Sequence, residues 1–281
     1  MDFKGYIIMD NHLHLSQKGR LMDAVRMFTS SGGNSINLIN LPDHSVPRSG
    51  YYKKIYDDTL KIASIIRESY SIPVMVTLGP YPVDYFYFQE GGMDGFGEME
   101  KGLAIAEDYC SKGYASAIGE IGRPHFHYDQ SLKERFNDLI NEAFEFCGHL
   151  DIPAILHTED LNYEAYNEIV RMGNAAGIKQ KKIVKHHALP EDISYKSGIS
   201  HSILASRRNV RDIRDFKQNI LLETDYVDDP LSWKVIPPDS VPRRAVYLRE
   251  TQENWEEIFN NIFLGSPIDL FGPDAFKKLE L

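Results

Sequence analysis

Short runs dominated by Ile, Val and Leu recur along this chain, separated by longer stretches that are apolar on one side only. The runs Tyr6–Leu13, Ser35–Leu41, Pro73–Leu78, Ala115–Glu120, Pro153–His157, Lys182–His187, Ile199–Leu204 and Ile220–Asp225 are too short for independent helices and are predicted strands. Between them, Arg20–Ser30, Tyr52–Tyr70, Glu98–Lys112, Ser131–Leu150, Tyr163–Ala176 and Val210–Lys217 carry apolar residues at helical spacing. In Ser131–Leu150 the stripe is Leu132, Phe136, Leu139, Ile140, Ala143 and Phe146. The interval after the sixth strand is short, and its helix falls on Glu191–Lys196. Alternation of apolar strands with helices predicts a parallel sheet covered by helices. Eight repeats fit an α/β fold of the (β/α)8 TIM-barrel type, one domain over residues 1–281, with an open doubly wound sheet as the alternative. Two long connections stand out, Gly79–Gly97, rich in aromatics and glycine, and Tyr226–Arg244, rich in proline and aspartate. Both follow strands, so a barrel places both on its C-terminal face, where active sites form.

Polar residues with chemistry gather at the ends of these strands. His12 and His14 close the first strand two residues apart, so both imidazoles face one side. Two neutral imidazoles on one face make a metal-ligand pair. Glu120 closes the fourth strand between Gly119 and Gly122, where a buried carboxylate needs a cation or a partner. His157 closes the fifth, although a lone histidine is more often a satisfied core residue. The sixth ends in His186 and His187, of which only one faces the barrel, and His187 is the favoured ligand. Asp225 closes the eighth, with Glu223 on the same face as a supporting residue. A barrel converges all of these ends on one pocket. Mixed imidazole and carboxylate donors suit zinc, and also manganese, iron or cobalt. Six ligands are too many for one tetrahedral ion and suit two divalent ions that share a carboxylate.

Composition narrows the partners. The chain has 281 residues, and its formal net charge of −10 argues against a broad basic surface for nucleic acid. No run is long and apolar enough to span a membrane, and the N-terminus lacks the pattern of a signal peptide. The two cysteines, Cys110 and Cys147, suggest no disulfide framework, so a reducing cytoplasm is the expected location.

The constellation resembles the TatD family of metal-dependent hydrolases in the amidohydrolase superfamily, over nearly the whole chain. Asp10, His12 and His14 match its opening D-x-H-x-H, and Gly119-Glu120-Ile121-Gly122 is similar to its G-E-x-G. Pro153 to His157 is similar to its P-x-x-x-H, His187 to its sixth-strand histidine, and Glu223-Thr224-Asp225 to its E-T-D. The resemblance implies that His12, His14 and Asp225 hold one metal, that His157 and His187 lean toward a second, and that Glu120 bridges them. Arg123-Pro124-His125-Phe126-His127 stands where the family has a Leu-Asp pair and an aromatic, and Ala188-Leu189-Pro190 replaces its usual turn. The Tyr226–Arg244 loop resembles an archaeal TatD-related branch.

The resemblance implies two-metal activation of a water, with Asp225 orienting the nucleophile and accepting its proton and Glu120 as the other catalytic carboxylate. Arg123, His125 and His127 are candidate substrate contacts, since a guanidinium suits phosphate; for Arg123 a structural ion pair is the equal alternative. Magnesium is a further candidate metal. Phosphodiester hydrolysis of DNA, mainly from single-stranded ends, is the expected activity, by analogy. Alternatives are hydrolysis of a small amide, lactone or phosphoester, and a metal-binding scaffold without activity. Tyr81, Tyr85, Phe86, Tyr87 and Phe88 could stack bases, but packing of the loop or an oligomer contact is the favoured role.

Overall fold

A computed structural model describes residues 3–229 and 236–279. Among the described residues nine strands run parallel: β1 (Met9–His14), β2 (Ser35–Ile39), β3 (Val74–Leu78), β4 (Ala117–Gly122), β5 (Ala154–His157), β6 (Ile183–Ala188), β7 (Ser200–Leu204), β8 (Ile220–Glu223) and β9 (Tyr226–Val227). Each of β1 to β8 pairs with its sequence neighbour, and β9 pairs with β1 through Leu13–Tyr226 and His14–Val227. β9 follows β8 after two residues, so the two are one interrupted strand whose second part closes the ring onto β1. The fold is a (β/α)8 barrel.

The helices are α1 (Met22–Ser30), α2 (Tyr51–Tyr70), α3 (Asp84–Glu90), α4 (Gly95–Ser111), α5 (Lys133–Leu150), α6 (Tyr163–Ala176), α7 (Arg207–Asp212), α8 (Ser240–Thr251), α9 (Trp255–Asn260) and α10 (Ser266–Phe271). The stripe expected on α5 is the buried one: Phe136, Leu139, Ile140 and Ala143 face the sheet. Inside the barrel Met9, Met75, Ala117, Ile155, Val184 and Leu221 meet, and Leu270 of α10 packs against them as a plug. The end left open is therefore the opposite, C-terminal one.

Some boundaries moved for local reasons. The first strand starts at Met9, not Tyr6, because Asn34 takes over the backbone there: its side chain accepts from Ile8 N at 2.8 Å and donates to Tyr6 O at 2.9 Å. The helix expected at Val210–Lys217 starts earlier, since the Ser206 hydroxyl accepts from Asn209 N at 3.0 Å as an N-cap. After β6 the chain makes only a 3-10 helix, Pro190–Tyr195, in place of the α-helix expected at Glu191–Lys196. The Gly79–Gly97 connection holds α3; Phe88 is buried, Tyr85 lies 4.5 Å from Phe96 between ring centres, and Tyr81 lies 4.8 Å from His157. Part of the Tyr226–Arg244 connection, residues 230–235, lies outside the described residues. Asp228 anchors its start, accepting from Arg20 N at 2.7 Å and Leu21 N at 2.8 Å.

Candidate metal centre

The end of β1 delivers His12 and His14 as the alternation requires, both buried, with their Nε2 atoms 3.2 Å apart. His14 Nδ1 lies 3.2 Å from the Asn40 carbonyl oxygen, which turns Nε2 toward the centre. A ligating histidine is oriented in just this manner through its second nitrogen. Asp10, fully buried on the same strand, accepts from Thr224 N at 3.0 Å and from the Thr224 hydroxyl at 2.6 Å. That clamp ties β1 to the break between β8 and β9. Asp225 follows at once in the left-handed region (φ 48°), its amide donating to His12 O at 2.9 Å. Its carboxylate is thereby turned back over β1.

Glu120 arrives on β4. Gly119 and Gly122 both take positive φ, and a Cβ at Gly122 would collide with the carbonyl oxygen of His157. Glycine there lets β4 lie against β5 beneath the ligands. Glu120 Oε1 is 3.4 Å from both His12 Nε2 and His14 Nε2. Its Oε2 is 2.6 Å from His157 Nδ1 and 3.8 Å from His186 Nε2. One buried carboxylate thus presents each oxygen to a different pair of imidazoles. Asp225 Oδ1 joins the first pair, 3.9 Å from His12 Nε2 and 3.7 Å from His14 Nε2.

The sixth-strand assignment is corrected. His186, not His187, enters the barrel: it is buried, its ring stacks on His12 with centroids 3.7 Å apart, and its Nδ1 is 2.9 Å from Glu223 Oε1. His187 is exposed, with φ 53°, and contributes its backbone amide to Glu223 at 2.9 Å. Glu223 therefore lies behind His186, touching its ring and the next amide.

Arg123 is also relocated. It is fully buried away from the cavity wall, 3.1 Å from Glu159 Oε1 and 3.2 Å from Glu168 Oε2, with Asn137 Oδ1 at 3.3 Å. Its role is a structural ion-pair cluster that fixes α6 against the end of β4. His125 stays at the site, its Nδ1 2.8 Å from His157 Nε2. His127 is exposed and lines, with Gln130 and Lys133, an adjoining cleft that shares His125 with the cavity over the centre. Sequence reading passed over Lys185 and the Asn40 carbonyl. No spacing signal marks either: Lys185 reaches the cavity wall and the Asn40 carbonyl meets His14 only in the folded barrel.

Electrostatics follow from burial and the close packing of these groups. Burial alone would raise Glu120, but His12 and His157 hold it well below the usual carboxylate range. His12 is raised to about 9: burial opposes the charge, and Glu120, Glu223 and Asp225 outweigh it. Burial and the neighbouring His12 push His14 down to about 4, and burial pushes His186 down to about 3. Asp225 is raised to about 7, chiefly by burial. The centre thus concentrates negative charge around one proton on His12, the arrangement a divalent cation would replace.

The residues present fit metal ions. Donor atoms of His12, His14 and Glu120, of Glu120, His157 and His186, and of His12, His186 and Asp225 each lie within 4.8 Å of one another. Above them opens a cavity of about 340 Å³ lined by His125, His157, Thr158, Asp160, Lys185, His186, His187 and Asp225.

The family described as TatD related DNase matches residues 9–272. The chain belongs to that family. An uncharacterized protein of Methanocaldococcus jannaschii is 26% identical over 236 residues, covering 80% of this chain and 81% of its own. Among solved structures, the TatD homologue YjjV of Escherichia coli K12 aligns with a TM-score of 0.63 at 17% identity, over 94% of this chain and 97% of its own. A TatD-like protein of Archaeoglobus fulgidus gives 0.59 at 13% identity, over 90% and 99%. The phosphotriesterase homology protein of Escherichia coli, solved with phosphate in its active site, gives 0.61 at 12% identity, over 96% and 100%. At these identities the likeness is one of fold. This TatD-family chain has the metal-dependent hydrolase fold, and none of its described helices is long and apolar enough to cross a membrane.

Proposed function

We propose that this protein is a hydrolase with a two-ion centre that cleaves phosphodiester bonds, as a TatD-like deoxyribonuclease acting at strand ends. One observation carries the reading: each oxygen of Glu120 faces its own pair of histidines. His12, His14 and Asp225 would hold one ion, His157 and His186 the other, and Glu120 would bridge. Zinc suits these donors best, with manganese, iron, cobalt and magnesium as alternatives. When bound, the ions supply Lewis acidity and make a water nucleophilic near neutral pH.

The chain's own groups do the rest. The Asp225 carboxyl sits on the cavity wall and would take a proton from the attacking water at its Oδ atoms. Glu223 holds His186 in orientation from behind. His125 stands beside His157 at the rim, within reach of a bound substrate. A cavity of about 340 Å³ is at the small end for ligand sites, and the net charge of −10 disfavours a long nucleic-acid footprint. Both features favour a chain end, and they also support a second reading, hydrolysis of a small phosphoester. That phosphate occupies the site of a protein with this fold supports phosphoryl chemistry in either case. Cys110 and Cys147 are free and buried, consistent with a reducing cytoplasm.

Metal content and cleavage of a single-stranded oligonucleotide, measured on one sample before and after chelation and metal re-addition, test the proposal. Two equivalents of metal and chelator-sensitive cleavage are expected, with Asp225→Asn folded but at least about 100-fold slower. Bound metal with turnover only of small phosphoesters selects the second reading. A folded protein that takes up no metal refutes both.

A further inference from the structure

Lys185 is a cation in an uncommon place. It sits on β6 beside His186, only 2% exposed. Strand alternation sends Val184 and His186 into the barrel and Lys185 to the other side, from which its stem climbs to the mouth. There the ammonium meets two main-chain carbonyl oxygens, His186 O at 2.8 Å and Thr158 O at 3.3 Å. An ammonium has three N–H donors, so one is left over. Among the described residues no carboxylate lies within ion-pairing distance of it. The acidic groups nearby are engaged or solvated. Asp192 accepts from Tyr166 Oη and Leu189 N, each at 2.9 Å, Glu223 is taken by His186 and the His187 amide, and Asp160 is exposed at the rim. Glu223, Asp192, Asp160 and Glu159 attract this ammonium from a distance, and a buried cation with no carboxylate in contact is still costly unless an anion completes it. Lys185 also lines the cavity that opens over the candidate metal centre, together with Asp225 and His186.

We propose that Lys185 is the anion-recognition residue of this cavity, its third N–H binding a non-bridging oxygen of the substrate's phosphoryl group. The inference rests on the hydrolase reading above and adds a specificity determinant to it. The two carbonyls fix the ammonium before substrate arrives, so binding an anion orders no further side chain. A compact point charge would also take less room beside His186 and Asp225 than a broad guanidinium. The centre would act on the bond under attack while Lys185 decides that only anionic esters are held productively. Neutral esters would lack this hold.

Lys185→Gln tests the idea because a glutamine amide keeps N–H donors on the same side of the strand while removing the charge. Lys185→Met provides the second, harsher variant. Inorganic phosphate is titrated calorimetrically into the metal-replete wild type and both variants, with metal content and thermal unfolding measured on the same samples. The expected result is unchanged metal content in Lys185→Gln and phosphate affinity lower by about 10-fold or more, the scale of one charge-assisted hydrogen bond. KM for a phosphodiester should rise by a similar factor. Phosphate affinity in Lys185→Gln equal to that of the wild type overturns the inference, as does a metal-replete wild type that binds no phosphate. In both cases intact metal uptake leaves the hydrolase reading standing, whereas loss of metal uptake in the wild type is the failure of that reading.

Discussion

Adjacent histidines on β6 offer a sharp comparison, because removing one should disable the centre and removing the other should not. His186 is 3% exposed, stacks on His12 at 3.7 Å, and lies 2.9 Å from Glu223 and 3.8 Å from Glu120. Truncation to alanine deletes a buried ring, and it takes from the fully buried Glu223 a close polar partner. A hydrogen-bonding contact to a charged group contributes about 1.5–3 kcal/mol. The pair falls short of ideal alignment, so about 2 kcal/mol for this part is reasonable. For a chain of this size that corresponds to a melting temperature lower by about 4–8 °C in metal-free protein. The effect on metal is larger. Loss even of an outer hydrogen-bond partner lowers affinity about 10–100-fold, and a direct ligand should exceed that. His187→Ala removes an exposed ring from a left-handed position, with an expected change within about 0.5 kcal/mol and no change in metal uptake. Elemental analysis after dialysis against defined free metal, combined with calorimetric titration, reads both variants. His186→Ala is expected to keep one equivalent and lose the second. Should His187→Ala lose the metal while His186→Ala retains both equivalents, the strand phase and the centre built on it are wrong.

Metal binding should release protons, because His12 is raised to about 9 and must be neutral to ligate. Apparent affinity is then expected to rise with pH across the neutral range and level off above about 9, measured by calorimetry in two buffers of different ionisation enthalpy. Arg123→Met leaves Glu159 and Glu168, both partly exposed, without their buried cation. It should lower unfolding free energy by about 2–3 kcal/mol in urea, less than the fully buried limit, while KM of the folded fraction stays unchanged. A raised KM without loss of stability would return Arg123 to the substrate.

The arrangement of strands and helices was legible in the sequence because each repeat carries its own hydrophobic period. Eight apolar runs with amphipathic stretches between them dictate a parallel sheet with helices outside, and the ends of five of those runs carry the imidazoles and carboxylates. Where only one face of a choice is apolar, the sequence decides: His12 and His14 had to face together, and Glu120 between glycines had to approach β5 closely. The choice between His186 and His187 had no such basis. β6 is buried on both faces, so Ile183 and Val184 are both apolar and the run carries no phase; the pairing of β6 with β5 and β7 sets it instead. Arg123 was ambiguous for a similar reason. Its partners Asn137, Glu159 and Glu168 lie 14, 36 and 45 residues away, and only the packing of α5 and α6 against the end of β4 brings them together. The local period of a chain fixes which elements form, while the choice of side chain at the mouth depends on register and on distant counter-charges, which exist only once the barrel has closed.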